Sequence, residues 1–77
     1  MTAFDLELDA RGLNCPIPIL RTKKFLTTME TGKIVRIMAT DPGAVKDFEA
    51  FARQTDNELL SSMEVEGEFQ FTLKKLS

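Results

Sequence analysis

The residues best able to do chemistry gather in one stretch, Leu8-Asp9-Ala10-Arg11-Gly12-Leu13-Asn14-Cys15-Pro16-Ile17-Pro18. It holds the single cysteine of the chain, two of its three prolines and one of its four glycines. A thiolate is the nucleophilic form of cysteine, so what Cys15 can do depends on its surroundings. The spacing predicts a strand that ends, a turn at Gly12, and Cys15 at the N-cap of a helix or beside it. A helix start carries about half a positive charge and several unpaired N–H donors, and both favour a thiolate. Pro16 and Pro18 stiffen the first turn, Gly12 lets the loop approach, and Asn14 and Pro16 flank the sulfur. Each proline also removes an N–H, so the thiol pKa is expected to fall by an amount the sequence leaves open. Arg11 adds positive potential if the loop folds towards the thiol.

Composition narrows what such a thiol can be for. The chain has 77 residues, no histidine and no tyrosine. A Cys-His or Ser-His nucleophile pair cannot form within it, and the usual His/Cys zinc ligand sets cannot be assembled. One cysteine cannot make an internal disulfide or act as a dithiol. A lone activated thiol without a base suits transfer better than hydrolysis. It can take the outer sulfur of a persulfide and pass it on by the same exchange in reverse. Such a carrier needs an exposed sulfur and a surface that fits its donors and acceptors. No metal or cofactor is expected.

The elements that must position Cys15 follow from periodicity. Phe4-Asp5-Leu6-Glu7-Leu8-Asp9 alternates apolar and acidic, as a half-buried strand does, with Phe4, Leu6 and Leu8 facing in. Pro16 to Met29 is expected to be a helix, with Pro16 at its first position and Thr31-Gly32 closing it. At about 100° per residue, Ile19, Phe25, Leu26 and Met29 share the buried arc. Ile17 and Leu20 fall on the other side, among Arg21, Lys24 and Thr28. They form either a docking surface beside Cys15 or the filling of a seam to the second helix. Arg21, Lys23 and Lys24 are correspondingly either a solvated face or a dock for an acidic donor.

Lys33 to Thr40 is rich in β-branched residues and reads as a strand, with Val35, Ile37 and Ala39 towards the helices. Asp41-Pro42-Gly43 opens a second helix over Ala44 to Gln54, with Asp41 as its N-cap. Its apolar stripe is Ala44, Val45, Phe48, Phe51 and Ala52. A weaker strand follows over Glu58 to Glu64. After a turn at Val65-Glu66-Gly67, a clear alternating strand runs from Glu68 to Leu76, with Phe69, Phe71 and Leu73 inward.

The order is β-α-β-α-β-β. The expected fold class is α+β: a two-layer α/β sandwich, with two helices on one face of a four-stranded mixed sheet. The sheet combines parallel βαβ pairing with a C-terminal hairpin. Residues 1–77 form one domain. Ile34 and Met38 on the otherwise polar outer face leave room for weak self-contact, so a monomer or weak dimer is expected. No stretch has the apolar length of a membrane span. Met1-Thr2-Ala3-Phe4-Asp5 lacks a secretory pattern, which makes the cytoplasm the expected compartment.

These motifs resemble the TusA family of small sulfur-carrier proteins, also called SirA-like. The resemblance covers nearly the whole chain. It rests on Leu8-Asp9, Gly12, the Cys15-Pro16-Ile17-Pro18 turn and Ala39-Thr40-Asp41-Pro42. It implies that Cys15 carries a persulfide, received from a cysteine desulfurase, a rhodanese or a related sulfurtransferase, and delivered to another sulfur-relay protein. Family members serve tRNA 2-thiouridine synthesis, molybdenum-enzyme maturation or oxidative sulfur metabolism. Asp41 caps the second helix and is also placed to meet a partner. A different class of reading is a small RNA-binding or regulatory module, built on a basic patch of Arg11, Arg21, Lys23 and Lys24. Against it stand the net charge of −2 and phenylalanines whose spacing puts them in the core. Direct contact with nucleic acid is therefore not expected.

Overall fold

The computed structural model describes residues 4–76. Met1 to Ala3 and Ser77 lie outside the described residues, and with them part of the N-terminal reading. Six elements follow one another: β1 (Leu6–Ala10), α1 (Ile17–Leu26), β2 (Ile34–Ala39), α2 (Ala44–Thr55), β3 (Glu58–Val65) and β4 (Glu68–Lys74). The strands form one sheet in the order β1-β2-β4-β3. β1 runs parallel to β2, and β4 runs antiparallel to both β2 and β3. The expected α+β sandwich, with both helices on one face, is the observed architecture.

The sheet face beneath the helices is set by alternation. Val35, Ile37 and Ala39 of β2 and Phe71 and Leu73 of β4 are fully buried there. Leu26 and Met29 come down from the first helical segment, and Ala44, Phe48 and Phe51 from α2. Phe48 stacks on Phe71 with ring centroids 4.5 Å apart. That contact nails α2 to the central strand, and aromatic pairs of this kind add about 0.5–1.5 kcal/mol beyond the area they bury.

On β1 the alternation holds at Leu8, which packs on the core opposite Ile37, whereas Leu6, opposite Val35 on the edge strand, is 39% exposed. Phe4 departs from the alternation. The residue precedes the strand, is 40% exposed, and lies under the Arg36 guanidinium at 4.8 Å on the outer face. A neighbouring cation holds the ring there better than the thin edge of the core could. Arg36 also pairs with Glu7 at 3.0 Å, so the outer face is laced by charge across β1 and β2.

Helix boundaries shift from the sequence expectation for identifiable reasons. Pro16 is the N-cap of α1 instead of its first residue, so the helix begins one place later than expected, at Ile17, and Pro18 is inside the first turn. The helix ends at Leu26, before Thr31-Gly32. Thr27, Thr28 and Met29 then donate N–H groups three residues back, so the last turn is tightened. The hydroxyls of Thr27 and Thr28 take up the carbonyls of Lys24 and Phe25. Lys75 reaches across from beyond β4, and its Nζ donates to the carbonyls of Leu26 and Met29 at 2.6 and 2.8 Å. A cation is thus set on the negative end of the helix.

The alternation of β3 is broken by an irregularity between Leu59 and Ser61. Leu59 pairs with Leu73 on the helix side, but past the break Ser62 and Glu64 take that side, opposite Phe71 and Phe69. Met63 and Val65 consequently face outward and are exposed. One extra residue in a bulge reverses every side chain after it. Glu66 and Gly67 close the hairpin with positive φ at both positions, the backbone of a type I′ turn.

Candidate functional site

Parallel pairing of β1 and β2 brings the ends of both strands to the same edge of the sheet, and each feeds a helix. The two strand-to-helix loops therefore lie side by side and are tied together. The Gly12 N–H donates to Thr40 Oγ1 at 2.9 Å. Gly12 has φ +79°, a conformation other residues adopt only with strain. The Cys15 N–H donates to Asp41 Oδ2 at 2.6 Å. Asp41 uses its other oxygen, Oδ1, to accept the Gly43 N–H at 3.2 Å. The N-cap expected at Asp41 falls instead at Gly43. Asp41 stands outside the helix, where one oxygen orders its start and the other holds the Cys15 loop.

Cys15 is exposed. It sits just ahead of the Pro16 N-cap, and the peptide bond between them is cis. The Asn14 carbonyl accepts the Ile17 N–H at 2.9 Å, which closes the turn under the sulfur. Pro18 is buried and Thr22 is fully buried, its hydroxyl donating to the Pro18 carbonyl at 2.8 Å. The sulfur thus rides on a turn that is pinned from below.

The electrostatics reverse the expected shift in the thiol. Pro16 and Pro18 have no N–H, and that of Ile17 is spent on Asn14, so the start of α1 turns few donors to the sulfur. Cys15 Sγ donates to Asp47 Oδ2 at 2.6 Å. The Asp47 hydrogen bond, the desolvation of the sulfur and the negative charges of Asp47 and Asp41 push the Cys15 thiol above its ordinary pKa. Arg11 offers no relief. It binds Asp9 through its backbone N–H, Nε and Nη2 at 3.0, 2.9 and 3.0 Å, and lies 3.6 Å from Glu68. The Arg11 hydrogen bonds hold the Asp9 carboxyl down at about 2. The loop folds so that this guanidinium is occupied away from the thiol.

An open groove of about 270 Å³ runs from Cys15 along the seam between the helices. Pro16, Ile19 and Lys23 form one wall, and Asp47, Ala50 and Gln54 the other. The cations expected to act together are divided. Lys23 belongs to this groove, whereas Arg21 and Lys24 line a second one against Phe25 and Leu8 of β1. Ile17 and Leu20, 43% and 55% exposed, fill no seam and stand on the outer side of α1. Among the described residues, no group of three or more His, Cys, Asp or Glu side chains is placed to hold a metal ion. No helix among them is long and apolar enough to cross a membrane.

Asp47 is the site residue that the sequence reading passed over. It sits in the first turn of α2, a favourable place for a negative charge. In sequence it is one of several polar positions between the apolar residues of an amphipathic helix. What distinguishes it is the parallel β1–β2 pairing, which sets the starts of α1 and α2 together.

Fold and site together define a class of small two-layer α+β domain, in which a single thiol is displayed where a strand hands over to a helix. Comparison with known proteins places the chain within it. Residues 6–75 match the family described as Sulfurtransferase TusA, and the chain belongs to the TusA family. It is 60% identical over 75 residues to the sulfur carrier protein TusA of Allochromatium vinosum, covering 97% of this chain and 99% of that one. A putative sulfur carrier protein of Neisseria meningitidis serogroup A is 49% identical over 67 residues, covering 87% and 90%. The crystal structure of a SirA-like protein from Desulfitobacterium hafniense superposes with a TM-score of 0.81 at 24% identity, covering 95% of this chain and all of the other. At that identity the likeness speaks to the fold.

Proposed function

We propose that the chain, residues 1–77, acts as one sulfur-carrying domain in which Cys15 accepts sulfane sulfur as a persulfide and hands it to an acceptor protein. The observation that carries this reading is the exposed Cys15 sulfur on a pinned turn at the head of an open groove. The relatives named as sulfur carriers support it. In loading, the Cys15 thiolate attacks the outer sulfur of a donor persulfide. A new S–S bond forms on Cys15 as the donor's S–S bond breaks, and the donor cysteine leaves as a thiolate. Sulfur moves with no net oxidation, so neither cofactor nor metal enters the exchange.

The donor class is a cysteine desulfurase, a rhodanese or a related sulfurtransferase. The acceptor is another protein of a sulfur relay, serving tRNA 2-thiouridine synthesis, molybdenum-enzyme maturation or oxidative sulfur metabolism. The cytoplasm is the compartment that suits a free thiol of this kind. Ile17 and Leu20, with Arg21 and Lys24 beside them, offer an apolar and basic surface on α1, and Lys23 offers a cation in the groove. Incubation with a cysteine desulfurase and cysteine should add the mass of one sulfur atom to the intact chain, and Cys15→Ser should abolish the gain. A wild-type chain that gains nothing from desulfurase or rhodanese donors, or a serine variant that gains equally, would overturn the reading.

A further inference from the structure

We propose that Asp47 holds the proton on Cys15 while the carrier is empty, so that the unloaded chain rests as a neutral thiol and the loaded chain as an exposed persulfide anion. The inference rests on the carrier reading above and adds a difference between its two states.

The contact itself carries the argument. A sulfur 2.6 Å from a carboxylate oxygen needs a proton between them. Removing that proton abolishes the hydrogen bond and sets two negative charges against each other. The groups facing the sulfur from each neighbouring element do not offset this. α2 contributes Asp47, and the loop before it contributes Asp41, bound to the Cys15 N–H. From α1 comes Lys23, farther along the groove wall. From the loop after β1 comes Arg11, spent on Asp9 and Glu68. The start of α2 keeps the negative charge of Asp47 well placed. The raised Cys15 pKa agrees with this geometry.

Loading changes the contact. The inner sulfur of a persulfide bears no hydrogen and cannot donate to Asp47. The terminal sulfur lies one S–S bond farther out, about 2 Å. Persulfides ionise more readily than thiols, and the charge then sits beyond the carboxylate. In the loading step the proton of Cys15 passes to Asp47 as the Sγ–S bond forms, and from Asp47 to the departing donor thiolate. The balance is Cys15–SH plus donor–S–SH giving Cys15–S–SH plus donor–SH, and the terminal S–H of Cys15–S–SH then gives its proton to water to leave the anion. An empty carrier held as a thiol reacts slowly with disulfides and oxidants in its surroundings.

The test follows alkylation of Cys15 by iodoacetamide against pH, read by intact mass on the unloaded chain. In the wild type the midpoint should lie above that of free cysteine, about 8.5. Asp47→Asn should move the midpoint down by about one unit, which is about tenfold faster alkylation at neutral pH. Asp47→Glu should restore the wild-type profile. Glu49→Gln, the same loss of charge at an exposed position of α2, should overlay the wild type. A wild-type midpoint at or below that of free cysteine overturns the proposal even if the Asn variant fails to fold. So does an Asn variant that overlays the wild type, or a Glu49→Gln variant that shifts as far. The measurement needs no sulfur donor, so its failure leaves the mass-gain experiment standing, and failure of that experiment leaves this result standing.

Discussion

At the scale of single residues, the two oxygens of Asp41 divide the work of the site. One orders the start of α2 through Gly43, and the other holds the amide of Cys15. Asp41→Ala removes both bonds and leaves the Cys15 N–H to water. Charge-assisted bonds of this kind contribute about 1.5–3 kcal/mol where partly sheltered and less where water competes. The expected loss in urea unfolding is about 1–2 kcal/mol. A second effect should accompany it: with its amide untied, Cys15 should lose its fixed relation to Asp47. Asp41→Asn keeps only one of the two acceptor oxygens, its amide NH2 facing the other N–H, and should recover only part of the loss. Cys15 as the reactive residue could be read directly, because rare residue types collect around it and no histidine is present to support another chemistry. The direction of its pKa shift could not. It depends on Asp47, 32 residues away, and on Arg11 turning to Asp9 instead of to the sulfur.

At the scale of elements, the strands and helices were visible wherever a period of two or of 3.6 ran unbroken. β2, β4 and the stripe of α2 are such cases. Where the pattern failed, a local contact had overridden it. Phe4 followed a cation out of the alternation, and the bulge after Leu59 reversed the faces of the rest of β3. The end of α1 was displaced because Lys75, distant in sequence, takes up the last carbonyls. That contact can be tested. Lys75→Met keeps the length of the stem but leaves the carbonyls of Leu26 and Met29 without their cation. Unfolding should cost about 1–3 kcal/mol less than in the wild type. Amide hydrogen exchange should accelerate first in the last turn of α1 and leave α2 unchanged.

At the scale of the whole molecule, the thiol lies at the edge where both helices begin, with Lys23 of α1 in its groove and Arg21 and Lys24 over a second groove of the same helix. Reversing charge at Arg21 and Lys24 together should slow sulfur loading from a protein donor. Both residues are exposed and outside the core, so stability should stay within about 0.5 kcal/mol of the wild type. Equal losses in loading and stability would assign the pair to packing instead. The shared edge has one more consequence. The described residues span only 30 × 26 × 19 Å, and their one thiol opens into a groove between two helices of that same small body. On the carrier reading, whatever fills the sulfur and whatever empties it must use the same doorway. They must therefore come in turn, and the molecule works as a turnstile: it cannot bridge two partners at once, and an excess of either one keeps the other waiting.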